Sequence, residues 1–286
     1  MAKEYGSQSM VAPLRKVLVR RPDRAFGGAD PARWHYAGRP DLTEALREHD
    51  QLVKILQDFG AEVLFHEETL PDHADAIFVH DPVLVSDQGA VLLKMGKELR
   101  RGEEAAIGRS LEKAGVPIHY QVHGDAVCEG GDLLWLEEDT LAVGLGYRTN
   151  PQGLRQLGEA LPGVTLIPFQ LPYYLGPSAC LHLMSTVSIV AEDLAVVYRP
   201  LTSVVFLQEL EQRGFRMIDV PEEEFAGMGP NVLALEPRNC VMLEGNPVTS
   251  QRLEAAGCSV TTYRGDHISL MAEGGATCLT RPILRG

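Results

Sequence analysis

The sequence predicts an α/β protein assembled from five ββα-type modules closed into a ring, a five-fold pseudo-symmetric α/β propeller. Three observations carry that expectation. One pattern recurs four times: residues 83–94 (VLVSDQGAVLLK), 133–144 (LLWLEEDTLAVG), 187–198 (VSIVAEDLAVVY) and 232–243 (VLALEPRNCVML) each hold two apolar β-type runs around a short polar turn. The repeats start roughly 45 to 55 residues apart, a spacing of modules that need neighbours to bury their faces. Helical stretches lie between them at 103–115, 151–161, 201–214 and 249–257, several ending in a glycine suited to a C-cap. The fifth module closes only across the termini, where 17–20 and 278–283 would pair and remove a sheet edge. A doubly wound α/β sheet is the alternative, but hairpins rather than single strands between the helices favour the ring.

In chain order, the apolar strand at 17–20 leads into a Gly/Pro/Asp-rich loop over 22–40 that holds Trp34, His35 and Tyr36. A helix follows. Asp41 can cap it, Glu44 stands at the capping-box position, and Leu46, Leu52, Val53, Ile55 and Leu56 give an apolar face up to Gly60. The four hairpins and their helices come next. The chain closes with MAEGGATCLTRP at 271–282, where Gly274 and Gly275 permit close backbone approach and 277–279 can enter a buried strand. That places the Cys278 thiol at the end of a loop, as a candidate nucleophile or as a small buried hydrophobe.

Composition narrows the function. The 286 residues, 45% hydrophobic, can bury a substantial core, and 1–286 reads as one catalytic domain. No apolar run approaches the roughly 20 residues that cross a bilayer, and the N-terminus lacks the apolar core of a secretory signal. A cytoplasmic chain with no membrane partner is expected. Five scattered cysteines without a CxxC pair indicate reduced thiols and no zinc site. A net charge of −13 argues against a nucleic-acid surface and suits a small cationic ligand. The sequence leaves a homo-oligomer open.

Polar residues precede the hairpins at a common phase: Asp75, His80 and Asp81 before the first, Glu129, Gly130, Gly131 and Asp132 before the second, His182 before the third, and Cys278 at the last. In a ring these strand ends would meet at the axis. Each residue alone has a purely structural explanation: Asp81 before Pro82 suits a turn, Glu129 a loop, and His182 a core position. Their shared phase favours a site.

On these residues the chain resembles the guanidino-group-modifying enzymes of the pentein fold, in particular dimethylarginine dimethylaminohydrolase, with arginine deiminase and the amidinotransferases as wider relatives. The resemblance runs over nearly the whole chain. It rests on DAIFVHD at 75–81, EGGDLL at 129–134, GLGYRTN at 144–150, LHLMS at 181–185 and the terminal TCL, in the family's order. It implies Cys278 as nucleophile, His182 as general acid and base, and Glu129 as the carboxylate that orients the histidine and binds guanidinium. Asp81 is implied as the second guanidinium-binding carboxylate, Arg100 and Arg148 as the pair holding a substrate α-carboxylate, and Asp75 as a neighbour of the substrate's amino end. Asp132 and His80 join the substrate-binding set, and 23–39 falls where the family has its mobile lid.

These residue types suit the chemistry. A guanidinium stays charged at neutral pH, so attack at its carbon needs paired acceptors such as Asp81 and Glu129. A neighbouring cation raises the thiolate fraction of a cysteine, and a histidine can protonate the departing amine. The implied products are a ureido compound such as citrulline plus an amine or ammonia, with no metal or organic cofactor. His80 stands where the family typically carries an acidic residue, and the 71–76 loop also departs from the family's usual PDS, so dimethylarginine, methylarginine and arginine all remain open as substrates. An amidinotransferase, and a pentein that binds without turnover as ribosome anti-association factors do, are the alternative functions. Cys128 adjoins Glu129 and is a candidate pocket residue, as is His267, whereas Cys180, Cys240 and Cys258 suit packing.

Overall fold

The computed structural model describes residues 3–179 and 181–286. Cys180, expected to pack, lies outside the described residues. The elements run β1 (Leu14–Val19), α1 (Arg24–Gly27), α2 (Pro31–Trp34), α3 (Leu42–Phe59), β2 (Glu62–Phe65), β3 (Val83–Ser86), β4 (Gly89–Leu92), α4 (Glu103–Lys113) and β5 (Ile118–Gln121). They continue with β6 (Leu133–Glu137), β7 (Thr140–Leu145), α5 (Pro151–Ala160), β8 (Thr165–Gln170), β9 (Val187–Ala191), β10 (Leu194–Val197), α6 (Val204–Gln212) and β11 (Arg216–Asp219). The last are α7 (Glu222–Phe225), β12 (Leu233–Glu236), β13 (Asn239–Leu243), α8 (Pro247–Ala255), β14 (Ser259–Tyr263) and β15 (Arg281–Arg285).

Among the described residues the strands form five three-stranded sheets, ordered β15-β1-β2, β3-β4-β5, β6-β7-β8, β9-β10-β11 and β12-β13-β14. In each, an antiparallel pair supplies the first and middle strands, and a third strand lies parallel to the middle one after a helical crossover. The fold is thus mixed α/β with small sheets. The four hairpins expected at 83–94, 133–144, 187–198 and 232–243 are present. The termini pair as expected, with Val17 opposite Pro282 in an antiparallel register.

The modules are ββαβ rather than ββα, because a short strand follows each major helix. These third strands were invisible in sequence for a physical reason. They are edge strands with exposed or half-buried residues along most of their length, so they show little of the full burial of the hairpin strands, and β8 even contains Pro168, which only an edge tolerates. The hairpin strands are nearly all buried: β12 packs on β9, and β15 on β3.

Segment 22–40 is not wholly loop. Asp23 and Asp30 accept backbone N–H bonds that start α1 and α2, and Phe26, Trp34 and Tyr36 pack into the core beside α3. Helix α3 begins as predicted, with the Asp41 carboxylate accepting from Glu44 N at 3.0 Å, and Gly60 ends it at φ 99°. The reciprocal half of the box is supplied differently: Asp41 N donates to His267 Nδ1 at 3.1 Å, while Glu44 pairs with Arg47. His267 therefore acts as a cap at the helix start, not as a wall of the cavities below. Cys278 also departs from expectation. It sits in a turn, with Leu279 N bonded to Gly275 O (3.1 Å) and Thr280 N to Thr277 O (3.2 Å), and β15 starts only at Arg281.

Candidate active site

Five segments arrive just before the first strands of the five sheets, and their polar residues converge. Cys278 comes from the turn before β15. Two glycines set its position. A Cβ on Gly274 would stand 2.2 Å from the Phe78 ring, and one on Gly275 2.5 Å from the Asn231 side chain, so neither position accepts a larger residue without displacement. Asn231 holds the turn: its Oδ1 accepts from Thr277 N at 3.0 Å, and its Nδ2 donates to Cys278 Sγ at 3.5 Å. Cys278 is partly exposed, whereas Cys128, Cys240 and Cys258 are buried in apolar clusters. Burial also pushes the Cys128 thiol well above the ordinary range, and Cys128 packs rather than lining the site.

His182 precedes β9 and Glu129 precedes β6. Their side chains meet with His182 Nε2 at 2.7 Å from Glu129 Oε2, and since the carboxylate only accepts, Nε2 carries the proton. The other oxygen, Glu129 Oε1, accepts from Gly96 N (2.8 Å), Lys97 N (3.0 Å) and Arg148 Nη1 (3.5 Å). Glu129 is 0% exposed. Burial opposes its charge, but the His182 hydrogen bond and the Arg148 and Arg100 guanidinium groups outweigh it and hold the carboxyl below its usual range. Asp132 backs the histidine from below: it accepts from Leu183 N at 3.0 Å and from the Thr149 hydroxyl at 2.7 Å, and burial pushes its carboxyl up to about 6. Asp132 lines neither cavity described below and braces the 182–185 turn instead.

Gly131 leaves the space the His182 ring fills, since a Cβ there would lie 2.5 Å from Nδ1 and 2.6 Å from Cγ. Gly131→Ala is expected to tilt the imidazole off Glu129 and cut kcat by about 100-fold, the usual scale of an ångström-sized misplacement, with the melting profile little changed. Steady-state kinetics beside circular dichroism checks this. Unchanged kcat would mean that the ring orientation is immaterial.

A second group of charges lies beside the pair. Arg100 Nη1 donates to Asp81 Oδ2 at 2.6 Å, its Nε and Nη2 grip Glu103, and Nη2 also reaches Phe78 O at 2.9 Å. Burial opposes the Asp81 charge, and the Arg100 and His182 cations overcome it, lowering the carboxyl's pKa. Asp75 accepts from Tyr36 Oη (2.7 Å) and from Lys97 Nζ (2.6 Å), and Lys97 also bonds Trp34 O (2.9 Å) and lies over the Trp34 ring. Segment 23–39 is thereby tied to the site. His80 points its Nδ1 at Thr280 O (3.0 Å), which fixes the Nδ1–H tautomer, and desolvation with Arg281 nearby lowers its pKa to about 3. It is a neutral residue at physiological pH.

Two cavities open onto Cys278 and His182. The smaller, about 40 Å³, carries the charges Asp75, Asp81, Lys97, Arg100 and Arg148 together with Trp34 and His35. The larger, about 250 Å³, extends on the other side, with His80 and Asn231 in its wall. The structure thus gathers Cys278, His182, Glu129, Asp81, Asp75, Arg100, Arg148 and His80 around one centre. Sequence reasoning passed over Asn231, Lys97 and Glu273, and it named Tyr36 only as part of the expected lid. Asn231 alone had a signal: it stands directly before the 232–243 hairpin, at the phase of the other site residues, in the one repeat left without an assigned group. Among the described residues no group of three or more His, Cys, Asp or Glu is arranged to hold a metal ion. No helix among them is long and apolar enough to cross a membrane.

Residues 38–285 match the family model described as N,N dimethylarginine dimethylhydrolase, eukaryotic. An N(G),N(G)-dimethylarginine dimethylaminohydrolase from Streptomyces coelicolor is 31% identical over 94% of this chain and 96% of its own length. Among solved structures, the dimethylarginine dimethylaminohydrolase of Pseudomonas aeruginosa, as a Cys-to-Ser variant complexed with citrulline, superposes with a TM-score of 0.78 at 22% identity. That match covers 96% of this chain and all of the other. An amidinotransferase of saxitoxin biosynthesis from Microseira wollei gives 0.82 at 16% identity, over 99% of this chain and 97% of the other. At these identities the two structures speak for the fold alone.

Proposed function

Because the chain belongs to the dimethylarginine dimethylaminohydrolase family, within the pentein superfamily, and is a guanidino-group hydrolase, we propose that it cleaves an arginine-like substrate through a covalent adduct on Cys278. The observation that carries this reading is the buried His182–Glu129 pair at 2.7 Å, whose histidine lines the same two cavities as Cys278. The substrate's amino-acid end is assigned to the smaller cavity, with Arg148 and Arg100 taking its carboxylate and Asp75 its ammonium. Asp81 and Glu129 face the guanidinium. The five sheets of one topology, with their first strands packed inward, support reading the fold as a five-fold pseudo-symmetric propeller, a single catalytic unit over 1–286. Segment 23–39 is assigned as its lid.

In the reaction, the Cys278 thiolate forms an S–C bond to the guanidinium carbon, giving a tetrahedral adduct. The C–N bond to the departing amine breaks as His182 gives that nitrogen a proton, leaving a thiouronium on the sulfur. Water then attacks the same carbon and yields its proton to His182. The C–S bond breaks as the adduct's hydroxyl proton passes to water or the released amine, and a neutral ureido product leaves with the thiolate regenerated. Glu129 stabilises the imidazolium before the first proton transfer and after the second, and holds the ring in place throughout.

The substrate's positive charge needs Asp81. Asp81→Asn is expected to raise KM by roughly tenfold or more with a smaller change in kcat, since one charge-assisted acceptor is lost while shape is kept. Unchanged KM would remove Asp81 from the guanidinium site. The test of the whole reading is incubation of the purified protein with dimethylarginine, methylarginine and arginine, with mass spectrometry of products and intact chain. A ureido product with a transient adduct on Cys278 supports it. A new guanidino compound formed when amine acceptors are added would make the protein a transferase, and neither product would leave a binding protein.

A further inference from the structure

The larger cavity is far bigger than a dimethylamino group requires. We infer that it holds a bulky apolar substituent on the reacting guanidino group, so that the preferred substrates are N-alkyl or N-arylalkyl guanidino amino acids larger than dimethylarginine. The inference rests on the hydrolase reading above and sharpens it.

The two cavities meet at Cys278, His182 and Glu273, and they differ in kind. Every arginine and lysine, and both aspartates, line the smaller side. The larger wall sets Tyr174, Met184, Phe225, Met228 and Leu270 beside the neutral polar His80, Ser185, Asn231 and Thr277, and among the described residues Glu273 at the junction is its one carboxylate. Asp81 does not reach it. A guanidinium nitrogen pointing that way would meet a single carboxylate at the junction and otherwise neutral groups set among apolar side chains, a weaker match for a charged N–H than for an N–alkyl group.

Size and rigidity agree. An apolar cavity of about 150 Å³ already admits benzene, and this one measures about 250 Å³. Two methyl groups would leave most of it without contacts, losing dispersion energy. The wall is pre-formed, because Phe225 stacks on Tyr198 with centroids 4.1 Å apart and 15° between planes, and meets Tyr174 edge-on at 6.0 Å and 87°. Two wall residues, Met228 (φ 64°) and Glu273 (φ 58°), are non-glycine residues in the left-handed region. Such backbone is held only where surrounding structure over-determines it, and it clusters at ligand sites. The methionines add a surface that adapts to varied apolar shapes. The chemistry is unchanged: the substituted nitrogen takes the His182 proton when its C–N bond breaks, and the apolar amine departs from this chamber.

The test compares arginine with Nω-methyl-, Nω-butyl- and Nω-benzylarginine. We expect kcat/KM to rise about threefold to fourfold per added buried methylene from methyl to butyl, with benzyl also above methyl. Ala226→Trp, at the exposed rim of the cavity, is expected to level the series. Turnover of arginine or methylarginine with kcat/KM falling as the substituent grows overturns the inference and leaves the hydrolase intact. If none is turned over, calorimetric binding of the same series decides. Affinity that grows with the apolar group, and is levelled by Ala226→Trp, supports the chamber while the hydrolase reading falls. Affinity that is flat or falls overturns the chamber as well.

Discussion

Cys278→Ser is expected to reduce turnover by about a thousandfold or more while the protein folds and melts as before. A serine hydroxyl is scarcely ionised at neutral pH, whereas a thiol is far more acidic than a hydroxyl and its sulfur is intrinsically the better nucleophile. The replacement is almost isosteric. Asn231 Nδ2, now 3.5 Å from the sulfur, can donate to an oxygen, and the turn bonds around residue 278 involve backbone atoms that the change leaves alone. Intact-mass spectra should lose the adduct along with the activity, and ligand affinity should persist. A cooperative loss of structure would instead give the thiol a packing function, and retained turnover would place the nucleophile elsewhere.

Glu129→Gln is the other change with a large expected effect, and it acts on both activity and stability. The carboxylate accepts four hydrogen bonds while fully buried, two of them from the backbone at Gly96 and Lys97. A glutamine turns one accepting oxygen into an NH2, which must face either the His182 Nε2–H or those backbone donors. The expected cost is a kcat lower by about 10²–10⁴ from loss of imidazolium stabilisation and ring orientation. Breaking a buried charge pair adds about 3–5 kcal/mol of destabilisation, readable by denaturant titration. The pH dependence follows from the direction of the shift. The folded carboxyl is held below its ordinary 4.5, so its contribution is fully present above about pH 4.5 and is lost as pH falls toward the folded value. Wild type and variant should therefore converge in stability only in acid. Equal stabilities at pH 7 would mean that the network reorganises without the charge.

What the sequence conveyed about the site depended on phase. Asp81, Glu129, His182 and Cys278 all stand just before a recognisable apolar run, so a repeat visible in hydropathy was enough to align them. Asn231 stands at the same phase and was passed over because a side-chain amide carries no signal of its own. Lys97 had no signal, and Tyr36 was visible only as a member of the expected lid. They matter through Asp75, and the 2.6 and 2.7 Å bonds that join them span 22 and 39 residues of chain. The His80 departure was visible as a residue type, but its neutral state comes from burial and from the Arg281 cation, 201 residues away, which outweigh the Thr280 carbonyl that fixes its tautomer.

The hairpins, the major helices with their glycine ends, and the closure of the termini were determined by the sequence itself. Continuous apolar runs around polar turns, N-caps and C′ glycines act within a few residues, so the physics of the hairpins and helices is local. Tertiary structure decided the rest. The third strand of each sheet forms because a neighbouring middle strand offers unpaired backbone groups, whatever its own weak pattern. The turn that presents Cys278 ahead of β15 depends on Phe78 and Asn231 pressing on two glycines. The partition of the site into a small charged cavity and a larger apolar one arises only where side chains distant in sequence meet, because burial and charge pairing are properties of the assembled neighbourhood and not of any single residue.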